Sequence, residues 1–159
     1  MKIIYMHHAE RNISINHNDS EKRQLEDITE FGIKEAEILS EKFKSQKITA
    51  IITSPYIRCQ HTAEIINKYH NCPIIEDERL NEMKTGEDWE TFLKRNMETI
   101  DNIVNTYTDD DTIICVTSGV NLSAFVCYFY NIKPSNSTPW CQAAAISPIN
   151  FTIGKKKLD

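Results

Sequence analysis

Glycine is scarce in this chain, and the phosphate-binding loops that glycine builds are missing. Only 4 of the 159 residues are glycine, and neither GxxxxGK[ST] nor GxGxxG occurs. Because such loops let backbone N–H groups approach nucleotide phosphates, their absence argues against a nucleotide-cradling site. The chain also lacks an apolar run long enough for a membrane span or a signal peptide. We therefore expect a cytoplasmic protein with no membrane partner.

Paired cysteines and excess basic charge are missing as well. The 5 cysteines are odd in number and show no CxxC spacing, which disfavours a disulfide framework and a structural zinc site. The formal net charge is -5, whereas a nucleic-acid surface needs a basic field. The composition predicts no nucleic-acid partner and leaves the oligomeric state open.

Apolar strands alternate with amphipathic helices along the sequence. We predict strands at Lys2–Met6, Ile48–Thr53, Pro73–Glu76 and Thr112–Val116, with one or two closing strands within Ala143–Ile153. Predicted helices are Thr29–Lys44, one that starts with Ser54 as N-cap and Pro55 as first residue, one in residues 85–107 with a Thr85/Asp88 capping box, and Ser118–Tyr130. Residues 12–27 are polar and are interpreted as a loop. This alternation predicts a single domain over residues 1–159, an α/β/α sandwich of three layers with a mostly parallel central sheet.

Ligand sites in such sheets lie just beyond the carboxyl ends of the strands. The polar residues expected there are His7, His8, Glu10, Arg11, Asn12, Ser54, Arg58, Arg79, Glu82, Thr117 and Ser118. Together they suit chemistry on an anion. Arginine offers a planar fork to phosphate oxygens, a neutral imidazole is a nucleophile near pH 7, and a carboxylic acid can protonate a leaving group.

Five segments occur in an order that is informative as a set: HHAERN, LEDITEFGIKEAEIL, IITSPYIRCQHTAEII, IIEDERLNE and TIICVTSGV. In this order they resemble the histidine phosphatase (phosphoglycerate mutase-like) superfamily. The family signature has Arg-His-Gly after the first strand, then LTxxGxxQA, TSPxxRAxQTA, a LxE segment and a THGG-like turn. The most specific match is Thr53-Ser54-Pro55 with Arg58. The resemblance implies a phosphoglycerate mutase-like fold.

The resemblance also implies roles for single residues. His8 matches the nucleophile that takes the phosphoryl group, and Glu82 matches the proton donor. Arg58 matches a phosphate-binding arginine, and Asn12 a polar residue of the pocket. The implied function is hydrolysis of a phosphomonoester, on a small molecule or a phosphoprotein, through a phosphohistidine intermediate without metal or cofactor.

Two positions depart from the family pattern. His7 stands where the family has its first arginine, and Ser118 where it has its second histidine. Arg11 lies three residues after His8, where the acid-phosphatase branch of the superfamily also has an arginine, and it would return part of the missing charge. Ser118 would also cap a helix whose N-terminus favours anions. We therefore predict that His7, Arg11 and Ser118 bind phosphate with Arg58 and Asn12.

Two other readings stay open at this point. Removing one donor of a preorganised site lowers the rate by about 10²–10³. The chain is thus also compatible with a weakened or inactive relative that binds a phosphorylated ligand or protein partner. A metal site made by His7, His8 and Glu10 is the third reading, and it is disfavoured because neighbouring strand residues point to opposite faces.

Overall fold

A mixed sheet of five strands forms the centre of the computed structural model, which describes residues 1–13, 20–135, 138 and 148–154. The strands are β1 (Lys2–His7), β2 (Ala50–Thr53), β3 (Ile74–Glu76), β4 (Thr112–Thr117) and β5 (Ile149–Thr152). The α-helices are α1 (Ser20–Gln24), α2 (Glu30–Phe43), α3 (Ile57–Ile66), α4 (Trp89–Thr106) and α5 (Gly119–Phe129). Two short 3₁₀ turns lie at Asn67–Tyr69 and Glu78–Leu80.

The sheet has the order β3-β2-β4-β1-β5. Strands β1 to β4 are parallel, and β5 runs antiparallel along β1. His7 pairs with Thr117, and Thr53 pairs with Val116, so three neighbouring strands end at one edge of the sheet. This arrangement confirms the predicted fold class.

The two faces of the sheet are buried by different helices. Ile4, Met6 and Ile51 belong to an apolar cluster with residues of α2 and α3. Ile3 and Tyr5, which alternate with them along β1, belong to a second cluster with residues of α4 and α5. Strand residues that are buried on both faces explain why the strand sequences are continuously apolar.

Two predicted helix starts were wrong. Helix α3 begins at Ile57, and its N-cap, Tyr56, makes no capping bond with its side chain. The hydroxyl of Ser54 donates to Oδ1 of Asn81 at 2.7 Å and accepts from the N–H of Tyr56 at 3.4 Å, just before the helix. Helix α4 begins at Trp89, with the Asp88 carboxylate accepting from the N–H of Thr91 at 2.9 Å. Helix α3 begins two residues after the predicted first residue, Pro55, and helix α4 begins three residues later than a Thr85 N-cap implies.

Other predicted segments are changed at their ends. The polar stretch of residues 12–27 contains the short helix α1. Within the described residues one closing strand, β5, is present, and residues 143–147 of the predicted closing segment lie outside them. Two apolar residues of α2, Phe31 and Ile38, are exposed. None of the helices in the described ranges is long and apolar enough to cross a bilayer.

Helix α2 rests directly on the chain that leaves β1. A β-carbon at Gly32 would lie 2.3 Å from the carbonyl oxygen of Glu10, which is closer than any real contact. The N–H of Glu10 donates to Glu35 of the same helix over 2.8 Å, and the N–H of Thr29 donates to the Glu10 carbonyl over 2.9 Å. Glycine at this position therefore lets α2 fix the segment that follows His8.

Candidate active site

The strand register brings the polar edge residues together. The N–H of His8 donates to the carbonyl of Thr117 at 2.8 Å, and the N–H of Ser54 donates to that of Val116 at 3.1 Å. These bonds continue the parallel ladder by one residue beyond the strands. The ends of β1, β2 and β4 consequently deliver their side chains to one place, as the sequence predicts.

The ring of His8 is buried and its tautomer is set by its two neighbours. Its Nδ1 lies 2.7 Å from the Ala9 carbonyl, which can only accept, so Nδ1 carries the hydrogen. Its Nε2 lies 3.1 Å from Nε of Arg58, which can only donate, so Nε2 keeps its lone pair. Burial, followed by the charges of His7 and Arg58, holds the pKa of His8 well below 6.5. The ring is therefore neutral at pH 7.

Arg58 is fully buried and every part of its guanidinium is engaged. Besides the bond to His8, Nη1 donates to the carbonyl of Arg23 at 2.5 Å, and Nη2 donates to Oε1 of Glu82 at 2.6 Å. The ring of Tyr56 stacks against the guanidinium, 4.7 Å from its centre. A buried arginine that is paired and stacked in this way holds its side chain in a single orientation.

His7 lies beside His8 and not on the opposite side of the sheet. Strand β1 ends at His7, so the alternation of strand side chains stops there, and the two ring centres are 4.0 Å apart. Nδ1 of His7 is bonded to the carbonyl of His8 at 2.7 Å. Burial lowers the pKa of His7, and the bond to the carbonyl opposes this shift. The two rings are expected to point apart only within a continuing strand, and because β1 ends at His7 they lie side by side.

Glu82 is 8% exposed and serves as a common anion for two arginines. Its Oε1 accepts from Arg58, and its Oε2 lies 3.6 Å from Nη1 of Arg23. The structure therefore places the predicted proton donor within the same group of side chains as His8 and Arg58.

Arg11 and Asn12 lie at the border of this group. Arg11 forms an ion pair with the buried carboxylate of Glu26, and burial, followed by the nearby charge of Arg58, lowers its pKa. The side chain of Asn12 is exposed, and its backbone N–H donates to the carbonyl of Asp27 at 2.9 Å. Arg11 thus already has a carboxylate partner.

Ser118 belongs to a buried network of amide side chains. Asn121 donates from Nδ2 to the Asn81 carbonyl at 3.2 Å and to Oδ1 of Asn96 at 2.8 Å, so its Oδ1 faces Ser118. Asn96 is oriented in turn by its bond from Nδ2 to the Phe92 carbonyl at 2.7 Å. The hydroxyl of Ser118 donates to Oδ1 of Asn121 at 2.5 Å. Its single hydrogen is directed into the protein.

Arg95 of α4 holds the segment that carries Glu82. Its Nη1 donates to the carbonyls of Arg79 and Asn81, at 2.6 and 2.8 Å, and its Nη2 donates to the Glu82 carbonyl at 2.9 Å. Its Nε and Nη2 also form a bidentate pair with Glu87, at 2.7 and 2.9 Å. One guanidinium therefore joins three carbonyls of this segment to a carboxylate.

The geometry gives little support to a metal site made by His7, His8 and Glu10. Oε2 of Glu10 accepts from the hydroxyl of Thr29, whereas the Nδ1 atoms of His7 and His8 are taken by carbonyls. Across the described ranges, His, Cys, Asp and Glu side chains form no group of three or more that could hold a metal ion.

Three residues of the site were missed from the sequence. Arg23 and Glu26 fall in the polar stretch interpreted as a loop, where no periodicity singles out a residue. Arg95 had a weak signal: it precedes Asn96, and polar Asn96 and Thr99 lie on the buried face of α4. Polar residues on an otherwise apolar helix face indicate a buried network.

The fold and the edge cluster define the class of this protein: a three-layer α/β protein with a neutral histidine and arginines gathered at the strand ends. A sequence model of the histidine phosphatase superfamily (branch 1) matches residues 8–91 and 83–159. The chain belongs to the histidine phosphatase superfamily. This match confirms the resemblance found in the five sequence segments.

Curated relatives align over part of the chain. One from Photorhabdus laumondii, named "Probable phosphoglycerate mutase GpmB", is 38% identical over 73 residues, which are 46% of this chain and 32% of the relative. A protein of the same name from Proteus mirabilis is 41% identical over 59 residues, or 37% of this chain and 27% of the relative. The chain therefore matches about a third or less of the length of these relatives.

Solved structures share the fold over nearly the whole chain. YhfR from Bacillus stearothermophilus has a TM-score of 0.82 and 22% identity, and the match covers 97% of this chain and 92% of that one. A mycobacterial glucosyl-3-phosphoglycerate phosphatase in complex with VO3 has a TM-score of 0.75 at 13% identity, covering 94% and 90%. Phosphoglycerate mutase from Bacillus anthracis has a TM-score of 0.75 at 15% identity, covering 96% and 88%.

Proposed function

We propose that this protein is a cytoplasmic, single-domain phosphatase that hydrolyses a phosphomonoester through a phosphohistidine on Nε2 of His8. The observation that carries the proposal is the state of the His8 ring. Its Nδ1–H is bonded to the Ala9 carbonyl, its Nε2 lone pair faces Arg58, and its pKa is held well below 6.5. A neutral, fixed imidazole is the form that attacks phosphorus at neutral pH.

The reaction begins when Arg58 exchanges its hydrogen-bond partners. In the resting site Arg58 donates to Nε2 of His8 and to Glu82. The oxygens of an entering phosphoryl group are stronger acceptors for a guanidinium than an imidazole nitrogen. Transfer of Arg58 to the phosphate frees Nε2 and separates Glu82 from its nearer arginine, and the carboxylate then takes up from solvent the proton that the leaving group needs.

Two chemical steps follow, in which His8 carries the phosphoryl group and Glu82 carries the proton. Nε2 of His8 attacks phosphorus, the P–O bond to the leaving group breaks, and Glu82 gives its proton to the departing oxygen. Water next attacks the phosphohistidine, returns a proton to Glu82 and releases phosphate, which restores neutral His8. The arginines stabilise the charge on the transferred group throughout, with no metal or cofactor in either step.

Trapping the intermediate tests this function. The protein is mixed with a panel of phosphomonoesters, including sugar phosphates and phosphoserine peptides, and quenched in alkali, where phosphohistidine is stable. We expect a phosphate on His8 by mass spectrometry, none in His8→Asn, and normal labelling in His61→Asn, a histidine outside the cluster. ³¹P NMR distinguishes release of phosphate from transfer to a second hydroxyl, the outcome expected of a mutase. Neither labelling nor phosphate release with any ester contradicts the proposal.

A second function is favoured by the orientation of Ser118. Its hydroxyl hydrogen points to Asn121, so the position of the family's second histidine offers no donor to a phosphate in this arrangement. A pocket that keeps Arg58 but lacks this donor suits binding of a phosphorylated small molecule or phosphoprotein without turnover. Tight binding of vanadate or phosphopeptide with no trapped intermediate would favour this function over hydrolysis.

A further inference from the structure

We infer that Arg23 is a phosphate-binding residue of this site and supplies the charge that His7, at the arginine position of the family pattern, lacks. The inference deepens the proposed function and rests on its premise that the cluster binds a phosphoryl group. Arg23 lies at the end of the short helix α1, in the stretch that the sequence predicts to be a loop.

The first support is an unsatisfied donor. The Nε–H of Arg23 is buried, and no hydrogen-bond acceptor for it exists in the described part of the chain. Its Nη1 lies 3.6 Å from Oε2 of Glu82, which is an ion-pair distance longer than a hydrogen bond. Native proteins leave very few buried N–H groups without an acceptor, and a bound ion is one of the partners that satisfies such a group. Nε and Nη of one guanidinium form the fork that suits two phosphate oxygens.

The second support is the link between Arg23 and Arg58. Nη1 of Arg58 donates to the main-chain carbonyl of Arg23, and both guanidinium groups contact Glu82. Arg58 in turn reaches Nε2 of His8. An anion that binds Arg58 in front of His8 therefore has Arg23 beside it, on the side of Glu82.

The third support is the balance of charge. Arg23 and Arg58 share one carboxylate, Glu82, whereas Arg11 is paired separately with Glu26. Burial of the neighbouring histidines keeps them neutral at pH 7, so this set has an excess of one positive charge. The lowered pKa of Arg11, caused by burial and then by Arg58, with a smaller effect of Arg23, reflects the same crowding of cations. A phosphate monoester dianion relieves it.

Binding of orthovanadate and inorganic phosphate to the full chain tests the inference. Calorimetric titrations compare the wild type with Arg23→Met, Arg23→Lys and Lys22→Met, the last removing an exposed charge from the same helix. We expect Arg23→Met to weaken both anions by about 10- to 100-fold, as loss of a charge-assisted fork does. Arg23→Lys keeps the charge without the fork and falls between. Lys22→Met changes the affinity by less than about twofold, because an exposed charge is screened.

Melting temperatures separate binding from folding. If Arg23→Met melts near the wild type and binds vanadate as tightly as Lys22→Met, the inference is wrong. A wild-type chain that binds neither anion also overturns it. Failure of the proposed hydrolysis has a different signature: a wild type that binds vanadate through Arg23 but never forms phosphohistidine supports the inference and contradicts the phosphatase.

Discussion

Nε of Arg58 lies 3.1 Å from Nε2 of His8, so a fully buried arginine donates to the ring nitrogen that bears the lone pair. Together with the bond from Nδ1 to the Ala9 carbonyl, this bond fixes the tautomer of the ring, and it keeps a cation beside the ring. The same guanidinium also neutralises Glu82, so the charged side chains of the site are already paired with one another. The expected behaviour of Arg58 variants follows from this double role.

Arg58→Met should lower both activity and stability. The variant keeps the length of the side chain but loses the phosphate fork, so we expect turnover to fall by at least about 10²–10³. Glu82 is left buried without its main partner, which should lower the free energy of unfolding by about 3–5 kcal/mol in urea titrations. Arg79→Met is the control, since its pair with Asp77 is partly exposed and should contribute about 0.2–1 kcal/mol.

A double variant separates the two effects of Arg58. Arg58→Met combined with Glu82→Leu replaces the buried pair by apolar groups, which is often close to neutral for stability. We expect urea titrations to show recovered stability and phosphatase assays to show no activity. Activity in the double variant would show that neither Arg58 nor Glu82 is needed for the reaction.

Stability should fall on the acid side because of His8. Its pKa in the folded chain is well below 6.5, whereas the unfolded chain has the ordinary value, so only the unfolded chain gains a proton just below pH 6.5. The contribution is complete above 6.5 and is lost as the pH falls towards the folded pKa, with a slope of at most about 1.4 kcal/mol per pH unit. Urea unfolding of wild type and His8→Gln at a series of pH values measures it. Parallel curves for the two proteins would contradict the lowered pKa.

Arg95→Met should impair catalysis through Glu82. The guanidinium of Arg95 ties the carbonyls of Arg79, Asn81 and Glu82 to Glu87, so its loss frees the acid from its position. We expect kcat to drop by about 10- to 100-fold with KM little changed, the range of a misplaced general acid.

A change in the pH profile of kcat distinguishes lost positioning of Glu82 from simple destabilisation. Lys94→Met, an exposed neighbour of Arg95 on α4, is the matched control and should behave as wild type. An Arg95→Met variant with lower stability but an unchanged kcat and pH profile would assign Arg95 a purely structural role.

Gly32→Ala should be destabilising although alanine favours helices. The added methyl would meet the Glu10 carbonyl at 2.3 Å, and backbone on both sides cannot give way easily. We expect a loss of about 1–3 kcal/mol, as for overpacked sites, measured by urea unfolding. Gly154→Ala, where nothing lies within 4 Å, is the control. Equal stability of the two variants would show that α2 shifts without penalty.

His7→Arg should raise turnover. His7 already packs beside His8, so an arginine there would reach the same space with a phosphate fork. Since one donor of a preorganised site is worth about 10²–10³ in rate, we expect a gain of at least about tenfold. His7→Gln supplies neither charge nor fork and should give no gain. An unchanged rate in His7→Arg would indicate that the pocket is shaped for a different task.

The sequence predicted the sheet and the central members of the cluster for a physical reason. Continuous apolar strands and the edge rule locate His8, Arg58 and Ser118 without any knowledge of loops. Such rules do not locate Arg23, because its position depends on how a polar segment folds over the strand ends. The relation of His7 to His8 depends on where β1 stops, and a shift of one residue at a strand end reverses the predicted direction of a side chain.

The carboxylate of Glu82 competes with any other anion for the guanidinium of Arg58. Any anion that approaches Arg58 must displace a carboxylate held at 2.6 Å. Chloride or a carboxylic acid metabolite with a single charge offers the arginine little more than Glu82 already does. Under the proposed function, a doubly charged oxyanion would offer more charge and more acceptors than Glu82 does, so the pair of Arg58 and Glu82 would favour phosphate esters over singly charged anions.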